Sequence, residues 1–168
     1  VALDFEMAED PLHRDLMTWE DPHLGETVSR YFKVPSDGAD LLNRREMIER
    51  STRLGDGVVL LIKEIGSDAL FALDLVTSQM DDQLGTEYRK RVGEFIQTCK
   101  KKDLSLAVAQ TDVKGDRSLL PSQQEHPDYY VHIVEERSDG IVVRGAKAHT
   151  TCAPYVDELV VLPTRAFK

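Results

Sequence analysis

The sequence predicts an α+β fold built in two successive parts, and three observations predict it. Up to about residue 102, apolar residues recur with the 3.6-residue period of helices, interrupted at Gly55, Gly57 and Gly66. After Asp103 the period changes: LSLAVAQ, YYVHIVEE, IVVRGAKAH and ELVVLP are short, β-branched and alternating. No internal repeat or low-complexity stretch intervenes, so helices followed by strands read as an α-domain and then the opening of a β-domain. The expected division is a mainly helical 1–103 and a strand-rich 104–168.

Taken in order, residues 1–19 begin as helix. The run TWEDPHLGETVSRYFKVP then carries turn signals at Asp21-Pro22 and Gly25 and ends at Pro35, which predicts an extended or hairpin segment. Ser36 and Asp37 offer N-caps for a long helical region. Its glycines predict several helices, near 37–53, 56–65, 67–82 and 86–102. In the last of these, Tyr88, Val92, Phe95, Ile96 and Cys99 form one apolar stripe, with Arg89, Lys90, Glu94 and Lys100 off it. Lys100-Lys101-Lys102 closes that helix, where positive charge suits the dipole. Farther on, Ser138-Asp139-Gly140 is placed to turn a hairpin between two strands.

The bulk numbers narrow the function classes. Twenty-one Lys+Arg against thirty Asp+Glu leave a net charge of −9, which argues against non-specific binding to nucleic acid or to an anionic membrane. No stretch approaches the roughly 18–20 continuous apolar residues of a membrane span. The start, VALDFEMAEDP, lacks the basic and apolar regions of a signal peptide. The two cysteines, Cys99 and Cys152, have no metal-ligand spacing, so a reducing cytoplasm is the expected compartment. A first residue that is Val rather than Met, and a last one just after a strand-like run, suggest a piece of something longer.

Two segments carry candidate chemistry. Residues 110–117 supply Gln110, Thr111, Asp112, Lys114, Gly115, Asp116 and Arg117. A glycine there lets backbone approach a ligand, Gln110 and Thr111 bring short donors and acceptors, and Lys114 and Arg117 suit phosphate. By residue type alone, a surface loop whose Asp and Gly make turns is favoured, since no dinucleotide-type glycine pattern is present. RGAKAHTTCAP (144–154) sets His149, Thr150 and Thr151 where a strand becomes a loop. His149 is the candidate general acid or base, although a lone His so placed is more often structural. Cys99 reads as a core thiol. Asp81-Asp82 and Glu135-Glu136 read as solvated charges, and no Ser/His/Asp order or zinc spacing stands out.

Together, TDVKGDR, the later DGIVVRGAKAHTT and the closing DELVVLPTRAF resemble the 4-hydroxyphenylacetate 3-hydroxylase and 4-hydroxybutyryl-CoA dehydratase family. Upstream, DPLHRDLMTWEDPHLGETVSRYF is similar to that family's N-terminal segment. The resemblance implies an acyl-CoA dehydrogenase-like architecture: an α-helical N-terminal domain, the start of a middle β-barrel, and a C-terminal helical bundle that is absent from this chain. It implies FAD, held by Gln110, Thr111, Lys114, Gly115, Asp116 and Arg117 on one loop and His149, Thr150 and Thr151 on the other. It also implies a homotetramer with a small-molecule substrate, a phenol or a CoA ester.

The reaction is less marked. The dehydratase branch holds an iron–sulfur cluster partly through a Cys-x-x-x-Cys in the segment matching 58–66, where this chain reads VVLLIKEIG, without cysteine at Leu60, Leu61, Glu64 or Ile65. The hydroxylase branch has Arg-x-x-x-Tyr where this chain has IGSDA (65–69), and a His where it has Leu106-Ala107-Val108. The leading expectation is a two-component phenol monooxygenase using reduced FAD from a partner reductase. A CoA-ester dehydratase/isomerase comes second, and a non-catalytic flavin-binding paralogue third.

Overall fold

The computed structural model describes residues 2–58 and 62–162, in two units: residues 1–106 with 156–158, and residues 107–155 with 159–168.

In the first unit, α1 (Ala2–Glu9) and α2 (Arg14–Met17) lead into an antiparallel hairpin of β1 (Thr18–Asp21) and β2 (Glu26–Ser29), with Trp19 opposite Val28. Asp21 builds the turn that Pro22 and Gly25 announce. Its carboxylate accepts the His23 N–H at 2.8 Å, its carbonyl accepts the Gly25 N–H at 2.8 Å, and Gly25 takes the left-handed φ of +65°. Met7, Met17, Tyr31 and Met47 form the core beside it.

Helix α3 (Gly38–Leu54) starts as its caps predict: Asp37 accepts the Asp40 N–H at 2.9 Å, and Asp40 accepts Ser36 N–H and Oγ at 3.0 and 2.8 Å. Residues 55–57 form a turn. The expected helix at 56–65 falls partly on 59–61, which lie outside the described residues. Gly66 does not break the chain: α4 (Ile62–Leu84) runs straight through it. The glycine answers a packing demand instead, since a Cβ at that position would stand 2.6 Å from the Leu106 Cβ and carbonyl oxygen.

Helix α5 (Tyr88–Lys102) follows the predicted bounds and packs on α4. Its stripe ends in the fully buried Cys99, whose thiol is pushed up to about 11 by burial, with the Glu158 charge adding. Asp81 corrects the sequence expectation of a free surface charge. It accepts the Thr86 hydroxyl at 2.6 Å and the Tyr88 and Arg89 N–H groups at 2.9 Å each, capping α5 from the end of α4. Those bonds, the Thr86 hydroxyl first, hold its carboxyl below the usual range.

Beyond α5 the predicted strands appear. β3 (Leu106–Ala109) is followed by β4 (His132–Arg137) and β5 (Gly140–Arg144), which pair antiparallel around the Ser138-Asp139 turn, and β6 (Glu158–Val161) lies beside β3. The end of the predicted ELVVLP strand, Pro163, lies outside the described residues.

Candidate functional site

Both motif segments lie in the second unit, and the structure brings them together. After β5 the chain passes Gly145 at a φ of +140°, where a Cβ would meet the Tyr130 carbonyl oxygen and Val131 Cα at 2.5 Å, so only glycine passes. Two residues on, Lys147 bridges antiparallel to Asp112, and the Ala148 N–H donates to the Thr111 carbonyl at 2.8 Å. The Lys147 ammonium reaches Asp112 Oδ1 at 2.6 Å and the Gln110 carbonyl at 3.2 Å. Its side chain is 8% exposed and that of Asp112 15%.

Immediately after this clasp, His149 turns left-handed at φ +55°, and Cys152 does so at φ +62°. Gln110, Thr111, His149 and Thr151 are exposed and Thr150 half-buried. A side-chain amide, hydroxyls and an imidazole therefore stand at the surface of two strand ends held in register by a part-buried ion pair.

The rest of the 110–117 loop is shaped from within. Gly115 has φ +54°, and a Cβ there would collide with Gln124 Oε1 and approach Tyr129 Cδ2 to 2.7 Å. The glycine thus serves the loop's own packing. Gln124, buried, exchanges hydrogen bonds with the Asp116 backbone, and Tyr130 Oη donates to the Lys114 carbonyl at 2.7 Å. The Asp116 carboxylate accepts the Ser118 hydroxyl at 2.7 Å and N–H at 2.9 Å, and these bonds hold its pKa down. Lys114 and Arg117 remain exposed. Sequence reasoning missed Gln124 and Tyr130, because neither polarity nor spacing marks a glutamine that folds back on a loop eight residues before it.

In the first unit, Glu64 is buried and Ile65 exposed, while Leu60 and Leu61 lie outside the described residues. No hydrogen bond of ordinary length reaches either Glu64 carboxylate oxygen from the described residues, and the Tyr31 phenol faces it. Burial pushes its carboxyl up, and the Asp4 charge adds to this. Among the described residues no group of three His, Cys, Asp or Glu is arranged to hold a metal, and no helix is long and apolar enough to cross a membrane.

The family model for the N-terminal part of 4-hydroxyphenylacetate 3-hydroxylase matches residues 1–168. The chain belongs to that family. It is 38% identical over 167 residues to the 4-hydroxybutyryl-CoA dehydratase/vinylacetyl-CoA-Δ-isomerase of Clostridium aminobutyricum, covering 99% of this chain and 34% of that one. To the oxygenase component of 4-hydroxyphenylacetate 3-monooxygenase from Thermus thermophilus it is 27% identical, covering 98% and 32%.

Among solved structures, an oxygen-tolerant archaeal 4-hydroxybutyryl-CoA dehydratase from N. maritimus matches with a TM-score of 0.87 at 28% identity, over 98% of this chain and 32% of that one. The oxygenase component HpaB complexed with FAD matches at 0.76 and 27%, over 96% and 32%. The chain therefore spans about a third of the length of the relatives it matches. Its mixed helical and strand fold is that of the N-terminal region of these acyl-CoA dehydrogenase-like family structures.

Proposed function

We propose that this chain is the N-terminal part of an FAD-dependent enzyme, and that the two clasped segments form one wall of the flavin site. The single observation that carries this reading is the pairing of the 110–112 strand end with 147–148, which sets Thr111 against Ala148, the residue just before His149, Thr150 and Thr151. The donor set fits the group: hydroxyls, the Gln110 amide and backbone N–H groups suit the pyrimidine edge and N5 of an isoalloxazine, and exposed Lys114 and Arg117 suit its phosphates. Asp116 and Gly115 contribute loop shape and backbone. A flavin bound there would supply two-electron and oxygen chemistry that no side chain has. Solved HpaB complexes with FAD support the same reading. The helical 1–103 and the strand-rich 104–168 then correspond to the N-terminal domain and the start of the middle β-barrel. Residues of a C-terminal bundle would complete the site and a tetramer.

For the reaction, the first reading is oxygenation of a phenol with reduced FAD supplied by a partner reductase, as a soluble cytoplasmic enzyme. The chain's role would be to hold the ring, exclude water and place a base near the phenol hydroxyl, with His149 the candidate. The second reading, a dehydratase/isomerase acting on a CoA ester, is favoured by the higher identity of 38% against 27%. Against it stands a 58–66 segment without cysteine. Absorbance together with iron and acid-labile sulfide, measured on the full-length parent protein purified without oxygen, separates the two. Flavin without iron supports the monooxygenase. Flavin with iron and sulfide supports the dehydratase, with cluster ligands elsewhere. No flavin in either form overturns both.

A further inference from the structure

We propose that Lys147 and Asp112 are positioning residues for the flavin, whose part-buried ion pair sets the separation between the Thr111 segment and the His149–Thr151 segment. The proposal rests on the flavin reading above. Removing two charges from water is costly, and a buried pair in a merely structural place is often replaceable by apolar residues at no loss. Here the pair lies under an exposed polar surface, where it does something an apolar pair does not. Lys147 Nζ spans Asp112 Oδ1 at 2.6 Å and the Gln110 carbonyl at 3.2 Å, tying its own strand end to two residues of the other. The Ala148 N–H on the Thr111 carbonyl at 2.8 Å adds a third tie.

These three ties end on residues 110–112 and use neither the Gln110 amide nor the Thr111 hydroxyl. On the partner strand the left-handed turn at His149 begins one residue after the last tie. A shift of either segment would therefore move the hydroxyls of Thr111, Thr150 and Thr151 relative to one another, with no direct contact between Lys147 and the flavin. Lys147 follows Gly145 by two residues, and its ammonium is directed at protein oxygens, so its role is to hold the wall in place.

The test is FAD titration of the full-length parent protein, followed by flavin fluorescence and by the visible band, with apo-protein melting measured alongside. Lys147→Met should weaken FAD by about tenfold or more and shift the visible band. Lys147→Arg, which keeps the charge, should restore most of the affinity, and so should the reversed pair Asp112→Lys with Lys147→Asp. Should Lys147→Met fail to fold, Asp112→Asn keeps the shape of the site and an oxygen acceptor for Lys147, and the folded variant should show the same weakening. Wild-type affinity and spectrum in a folded Lys147→Met or Asp112→Asn protein would overturn the proposal while leaving the flavin reading intact. Absence of FAD binding by the wild type would overturn the flavin reading itself.

Discussion

Gln124 grips the backbone of Asp116 from both sides: its Oε1 accepts the Asp116 N–H at 2.9 Å, and its Nε2 donates to the Asp116 carbonyl at 2.7 Å. One buried amide thereby fixes the loop that carries Lys114, Gly115 and Arg117. Gln124→Leu keeps the volume and removes both bonds, leaving the Asp116 N–H without its partner. The expected local cost is about 1–3 kcal/mol. Hydrogen exchange over residues 113–120 of the parent protein should accelerate accordingly, and unchanged protection would mean that the loop is held by other groups.

Gly115 should tolerate no side chain. At φ +54°, Ala pays about 1–2 kcal/mol for the left-handed backbone and adds a collision with Gln124 and Tyr129. Gly93 provides the opposite case. It lies inside α5 with nothing within 4 Å of a would-be Cβ, so Gly93→Ala should stabilise by about 0.5–1 kcal/mol. Urea midpoints of the two variants should move in opposite directions.

Glu64 makes the first unit sensitive to rising pH. Its carboxyl is raised in the folded state by burial, and then by Asp4, so folding favours the protonated acid. The stabilisation is fully present below the unfolded-state pKa and is lost as pH rises through the folded value. Glu64→Gln should remove that dependence. Exchange protection of α1 and of the start of α4, corrected for intrinsic rates, should fall with rising pH in the wild type and stay level in the variant. The groups facing Glu64 include Tyr31, whose phenol is pushed up by burial and by Asp4 and Glu64, and the Arg44 guanidinium, which opposes the shift.

The elements were legible where local rules decide them. The Asp37 cap, the turn at Gly25, the stripe ending at Cys99 and the hairpin at Ser138-Asp139 all follow from short-range chemistry. The sequence does not show that α4 passes through Gly66, because the reason for that glycine is Leu106, forty residues later, and no local pattern records such a contact. Asp81 was misread for a related reason: its partners Thr86, Tyr88 and Arg89 matter only once the chain has turned between two helices. At the site, the residue types of both segments were readable, and that the two meet followed from the family resemblance rather than from any local pattern. Asp112 and Lys147 lie 35 residues apart, and only folding shows that they form an ion pair. Gln124 and the buried Glu64 were invisible, since burial of a polar side chain is a property of its surroundings.

The most direct test of the flavin wall is the FAD dissociation constant of the full-length parent protein carrying both Thr111→Val and Thr150→Val. Each change removes a hydroxyl at nearly constant shape, and one hydrogen bond contributes about 0.5–1.5 kcal/mol. If both hydroxyls face the flavin, affinity should fall by about tenfold or more with the melting temperature of the apo-protein unchanged. Wild-type affinity in the double variant would contradict the assignment of these two segments to the flavin.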